Sequence, residues 1–132
     1  MVLFYIHAGM MSVGTILMSV GATIVWFMKN RRWWLRWHRI MGVSGICAFI
    51  CGLAGAVIMI SVSGGPHFRM PHTYLGLMAV FSATATLSLG FMMFIIRKKA
   101  AKIRSIHRWL GRSSLALALI SISTGLIISG II

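Results

Sequence analysis

The chain has 132 residues, 59% of them apolar, with thirteen Lys or Arg, no Asp or Glu, and a mean hydropathy of +0.95. A soluble surface mixes both charge signs, so this is no ordinary water-soluble globule, and its length allows one compact domain over residues 1–132. Paired-carboxylate glycosidases, Mg or Ca sites built on Asp and Glu, Ser-His-Asp catalysis and exporters that rely on an intramembrane carboxylate each need a side chain this protein lacks.

In chain order, the first apolar run extends from Leu3 to Met28, long enough to cross a bilayer. It has neither a basic leader nor a small-residue cleavage site, so it reads as a span rather than a cleaved signal. A basic and aromatic connection follows, with Lys29, Arg31, Arg32, Arg36 and Arg39 among Trp33, Trp34 and Trp37. The second span, His38 to Val62, carries Cys47 and Cys51 one turn apart, read as small packing residues, and Gly45 and Gly52, which let helices approach. Ser61 to Pro71 is rich in Gly and Pro and predicts a tight loop holding His67 and Arg69. The third span is His72 to Ile96. A second basic cluster, Arg97, Lys98, Lys99, Lys102, Arg104, Arg108 and Arg112 with Trp109, surrounds the connection to the fourth span, His107 to Ile132.

This uneven distribution of cations predicts, by the positive-inside rule, that the first and third connections are cytoplasmic. The expected fold is an all-α membrane protein, a four-transmembrane-helix up-down-up-down bundle with both termini on the outer side. Each basic stretch is only a short link between two apolar spans, so membrane lipid rather than nucleic acid is the expected partner.

Four of the five histidines, His7, His38, His72 and His107, stand at the start of a span. Span starts alternate between faces, so His7 and His72 share the outer level and His38 and His107 the inner one. First and third helices are diagonal partners, as are second and fourth, so each level presents two imidazoles across the core. That is what a bis-histidine haem requires, and two non-covalent b haems are expected, one near each face. A lone histidine at a helix end is ordinarily an interfacial residue, but ionisable groups within spans are costly and usually functional. Gly42, Gly76 and Gly111 each follow a histidine by four residues and share its helical face, leaving room for a flat macrocycle or for a neighbouring helix. No Cys-x-x-Cys-His occurs, which excludes covalent c-type haem.

With these residues in place the chain resembles the cytochrome b561 family, whose core is four helices holding two b haems between diagonal histidine pairs. His7-Ala-Gly-Met-Met-Ser-Val-Gly14 resembles the family's His-Pro-Leu-Leu-Met-x-x-Gly, and His72-Thr-Tyr-Leu-Gly-Leu77 its His-Ser-Trp-Leu-Gly-Leu. His38 and His107 match the other two ligand positions by place and spacing. Ile24 to Arg31, with Lys29 and Arg31, is loosely similar to the segment lining the cytosolic donor site of eukaryotic members. Met70-Pro71 departs from the familiar Ser-Leu, and the two flanking helices of eukaryotic members have no counterpart in this sequence. The resemblance implies a compact bacterial or archaeal member in the cell membrane, rather than one with an ascorbate site of the eukaryotic type.

Bis-histidine ligation closes both axial positions, so transmembrane electron transfer between a cytoplasmic donor and an outer acceptor is the expected activity, ascorbate- or ferric-reductase-like as a transmembrane oxidoreductase. From His7 to the inner pair is roughly fourteen helical residues, or about 20 Å. Arg39, Arg108 and Arg112 are candidate partners of the inner propionates and Arg69 of the outer ones, with lipid headgroup contact the alternative for each. His67 is a candidate at the outer substrate site or a solvated loop residue. Met11 and Met70 are the only methionines close enough to a histidine to consider as ligands. Small-molecule or protein electron donors and acceptors, a soluble redox partner subunit and a homodimer are candidate partners. Two rival readings are a quinol-linked cytochrome b anchor of a larger oxidoreductase and a haem-free four-helix transporter or assembly factor.

Overall fold

The computed structural model describes residues 2–67 and 70–130. Helix α1 covers Val2–Phe27, α2 Trp34–Ser63, α3 Pro71–Ile95 and α4 Ala100–Ile128, with a short 3-10 turn at Arg97–Lys99. No strand occurs among the described residues. All four helices are long and apolar enough to cross a membrane. At about 1.5 Å per residue, even the 25 residues of α3 exceed a hydrocarbon core of about 30 Å.

Two boundaries differ from the sequence expectation. Helix α2 begins four residues before His38, and α4 seven before His107. The hydropathy edge marks where lipid begins, whereas nothing in Trp34–Trp37 or residues 100–106 breaks a helix, and Lys, Arg and Ala propagate one well. Arg36, Lys102 and Arg104 therefore sit on helical turns rather than in loops.

The chain divides into two compact units, Met1–Thr73 and Tyr74–Ile132. In the first, α1 and α2 pack through glycine. A Cβ on Gly14 would stand 2.5 Å from Cδ1 of Phe49, and one on Gly45 would stand 2.9 Å from Cγ of Met18 and 3.2 Å from the Gly14 carbonyl. Phe49, 2% exposed, fills the space that Gly14 leaves. Helix α2 ends at Gly64, whose φ of 69° is left-handed and costs glycine little, and whose N–H donates to the Ser61 carbonyl. Pro71 opens α3, where its missing N–H has no intrahelical acceptor to lose.

In the second unit most buried positions are again small or hydroxylic, Gly76, Ala79, Ala83 and Thr86 on α3 and Ser114, Ala118 and Ser121 on α4, with Val80 and Ile103 the larger ones. Hydroxyls are satisfied along their own helices. Thr84 donates to the Val80 carbonyl at 2.8 Å, Thr86 to that of Ser82 at 2.8 Å and Ser114 to that of Gly111 at 2.9 Å. Such back-bonding is how a hydroxyl is accommodated where no water reaches.

Large apolar side chains lie outside: Phe27, Phe81 and Ile95 are each at least three-quarters exposed. Small residues within and bulky ones without is the reverse of a soluble core and suits a lipid solvent. Cys47 and Cys51 belong to this outer surface, contrary to their reading as packing residues. The inward positions of α2 are taken by Gly45, Ala48, Gly52 and Gly55, and the cysteines fall between them on another face.

Candidate functional site

A neutral imidazole that donates from one nitrogen to a carbonyl has its lone pair on the other. His7, His38 and His107 are each held in this way, by the neighbouring helix of their own unit. His7 Nδ1–H donates to the Gly52 carbonyl at 2.8 Å, His38 Nδ1–H to the Gly21 carbonyl at 3.0 Å, and His107 Nδ1–H to the Thr86 carbonyl at 2.8 Å. A carbonyl can only accept, so Nδ1 carries a proton, and in the neutral ring Nε2 is left with the lone pair, the tautomer that suits metal ligation with a backbone partner behind it.

The His38 and His107 rings and the His7 backbone also meet a glycine on the opposite helix. A Cβ on Gly21 would lie 3.7 Å from His38 Nδ1, one on Gly90 would lie 3.3 Å from His107 Cε1, and one on Gly55 would meet the His7 backbone at 3.7 Å. The glycines singled out by sequence play another part. Gly76 faces the Ser121 hydroxyl and Gly111 the Thr86 methyl, each at just over 3 Å from an added Cβ, which makes them α3–α4 packing positions; Gly42 is half-buried on α2. Sequence reasoning missed Gly21, Gly55 and Gly90, and read Gly52 as a packing glycine without its carbonyl's part. One signal could have found two of them: Gly21 precedes His38, and Gly90 precedes His107, by the same seventeen residues, and both histidines open a His-Arg-x-x-Gly run.

His7 and His72, half-buried at the start of α1 and α3, come together within the first unit. Their ring centres are 6.1 Å apart and the planes cross at 81°. Two metal–imidazole bonds of about 2 Å, plus about 1 Å from each nitrogen to its ring centre, give about 6 Å for an iron held between two histidines. The residues present therefore fit a bis-histidine haem. Among the described residues no three His, Cys, Asp or Glu side chains cluster as a metal site, so histidine pairing is the arrangement on offer. His38 is half-buried in the first unit, with the Trp34 ring centre 6.4 Å away; His107 is half-buried in the second.

Of the cations, Arg39 is half-buried beside His38, whereas Lys29, Arg31, Arg108 and Arg112 are exposed. The Arg112 guanidinium lies 5.5 Å from the centre of the Trp109 ring, a stacked pair on the outer surface of α4. Arg69 lies outside the described residues. His67 is exposed and shares a 3.4 Å hydrogen bond with the Ser61 hydroxyl. Met11 packs its sulfur against Gly52.

Apolar helices of membrane length make this an integral membrane protein, and histidines anchored on backbone carbonyls within them suit the electron-transfer class. The chain belongs to the cytochrome b561 family: the family model described as eukaryotic cytochrome b561 matches residues 6–131. Members bind haem b, and the family's work is transmembrane electron transfer. The chain is also similar to the lysosomal membrane ascorbate-dependent ferrireductase CYB561A3 of Bos taurus, 26% identical over 135 residues that cover 96% of this chain and 51% of the relative. It thus spans about half the length of that curated relative. No solved structure matches the chain.

Proposed function

We propose that the chain carries electrons across the membrane through two bis-histidine b haems, one held by His7 and His72 and the other by His38 and His107. Electrons enter from an anionic small-molecule reductant at the cytoplasmic end, where the basic connections lie, and leave to a ferric complex on the other side. The observation that carries this reading is the set of three Nδ1–H bonds to backbone carbonyls, together with the 6.1 Å spacing of His7 and His72.

Haem b, when bound, would supply a one-electron ferric/ferrous couple. The chain's residues do the rest. The carbonyls of Gly52, Gly21 and Thr86 fix ring orientation and raise the basicity of the ligating nitrogen. Arg39 offsets propionate charge beside His38, while Arg108 and Arg112, on the exposed flank of α4, are the lesser candidates. Lys29 and Arg31 raise the local concentration of an anionic donor. The ferric acceptor is inferred from the printed name of the bovine relative, with His67 placed at the side where the reduced product leaves.

Pyridine haemochrome assay of the purified protein tests this reading: two b haems per chain are expected. His7→Ala or His72→Ala should remove one centre, and His38→Ala or His107→Ala the other. Loss in any other pairing would refute the diagonal ligand sets, and protein that stays colourless after haem supplementation would refute haem binding altogether. A copurifying soluble subunit with bound quinone would favour the anchor-subunit reading instead.

A further inference from the structure

At the end of the first unit where α1 passes into α2, Ile24, Met28, Trp33 and Trp37 line an open cavity of about 430 Å³. Its lining is wholly apolar or aromatic. Ile24 is buried, whereas Met28, Trp33 and Trp37 are each about two-fifths exposed or more. Three of the four lining residues have a cation as a chain neighbour: Lys29 follows Met28, Arg32 precedes Trp33 and Arg36 precedes Trp37. All three cations are exposed. No Asp or Glu exists anywhere in the chain to pair with them.

An occupant must therefore satisfy two demands at once. An apolar body fills the cavity, and an anion brought from outside neutralises the rim. A free inorganic anion meets only the second demand and a zwitterionic lipid only the first. The protein lies in a membrane, with indoles at the level where headgroups begin. We infer that this cavity is a binding site for one anionic phospholipid, its acyl chain against Ile24 and Met28 between the two indoles and its phosphate on Lys29, Arg32 and Arg36. Basic residues beside an apolar recess at a membrane face suit such headgroups. The inference does not depend on the haem assignments.

The test uses the full chain in phosphatidylcholine nanodiscs doped, at one mole fraction, with either phosphatidylglycerol or phosphatidylcholine brominated on its acyl chains. The readout is quenching of tryptophan fluorescence. Brominated phosphatidylglycerol should quench several-fold more than brominated phosphatidylcholine, and the excess should vanish in the W33F/W37F variant. Neutralising K29Q, R32Q and R36Q one after another should lower the preference stepwise and abolish it in the triple variant. A charge-keeping K29R/R36K variant should retain it, which separates lost charge from misfolding. Equal quenching by the two lipids, an excess that survives in W33F/W37F or in the triple neutral variant, or an excess abolished by competing inorganic phosphate would each overturn the proposal.

Discussion

An imidazole bound to a metal is only as well placed as the group behind it. His107 has the Thr86 carbonyl on one side and Gly90 pressed against Cε1, so it cannot yield without stretching a 2.8 Å hydrogen bond. Gly90→Ala would put a Cβ 3.3 Å from that carbon and displace the ring by a few tenths of an ångström. We expect G90A to shift the low-spin signal of one haem centre in electron paramagnetic resonance and to lower its occupancy. The control is Gly9→Ala, whose new methyl would meet nothing within 4 Å and should leave both centres unchanged. At this scale the candidate histidines stood out in the sequence and the groups that hold them did not. Histidine in an apolar span is conspicuous because charge is costly there, whereas a backbone carbonyl has no letter of its own, and a packing glycine such as Gly76 looks the same as a bracing one such as Gly90.

Helices α1 and α2 meet where Gly14 and Gly45 face each other's chain and Phe49 covers Gly14. Phe49 is almost fully buried, so Gly14→Ala must push a side chain that has no room to retreat. Overpacking of this kind costs about 1–3 kcal/mol. Thermal unfolding in detergent should show that loss in G14A, and Phe49→Leu should restore part of it in the double variant, because the shorter side chain gives back the volume the methyl takes. The four helices were legible as apolar runs, and the turn at Gly64 and Pro71 from its composition. Their true starts at Trp34 and Ala100 were not, because hydropathy follows the lipid and the helix follows backbone propensity. Cys47 and Cys51 were misread for a related reason: with lipid outside and small residues inside, apolar character does not tell the two faces of α2 apart, and only the spacing of Gly45, Ala48, Gly52 and Gly55 does.

Thirteen cations without one side-chain carboxylate give the whole molecule a field of a single sign. The basic connections after α1 and α3 concentrate that field, so an anionic reductant such as ascorbate should reduce the purified protein more slowly as salt rises. An uncharged reductant should show little dependence, because it carries no charge for the field to steer. Stopped-flow reduction over a salt series, comparing the two donors, measures this directly; identical slopes would remove the steering role of the basic connections. What the sequence could not supply at this scale is the acceptor on the far side, since electron transfer through buried centres leaves no substrate-shaped pattern in the chain.

The carbonyls of Gly52, Gly21 and Thr86 have one more implication. In many metal proteins the partner of a ligating histidine is a carboxylate that a single codon change can delete or replace. Here no codon encodes the partner. Replacing Thr86 alters its side chain and leaves the acceptor in place, so the second nitrogen of each imidazole is insulated from point mutation. Evolution can reach that partner only indirectly, by shifting the ring or its helix as Gly90→Ala would. A chemist can do so more directly, by replacing the amide between Gly21 and Ala22 with an ester and so weakening the acceptor that no mutagenesis can reach.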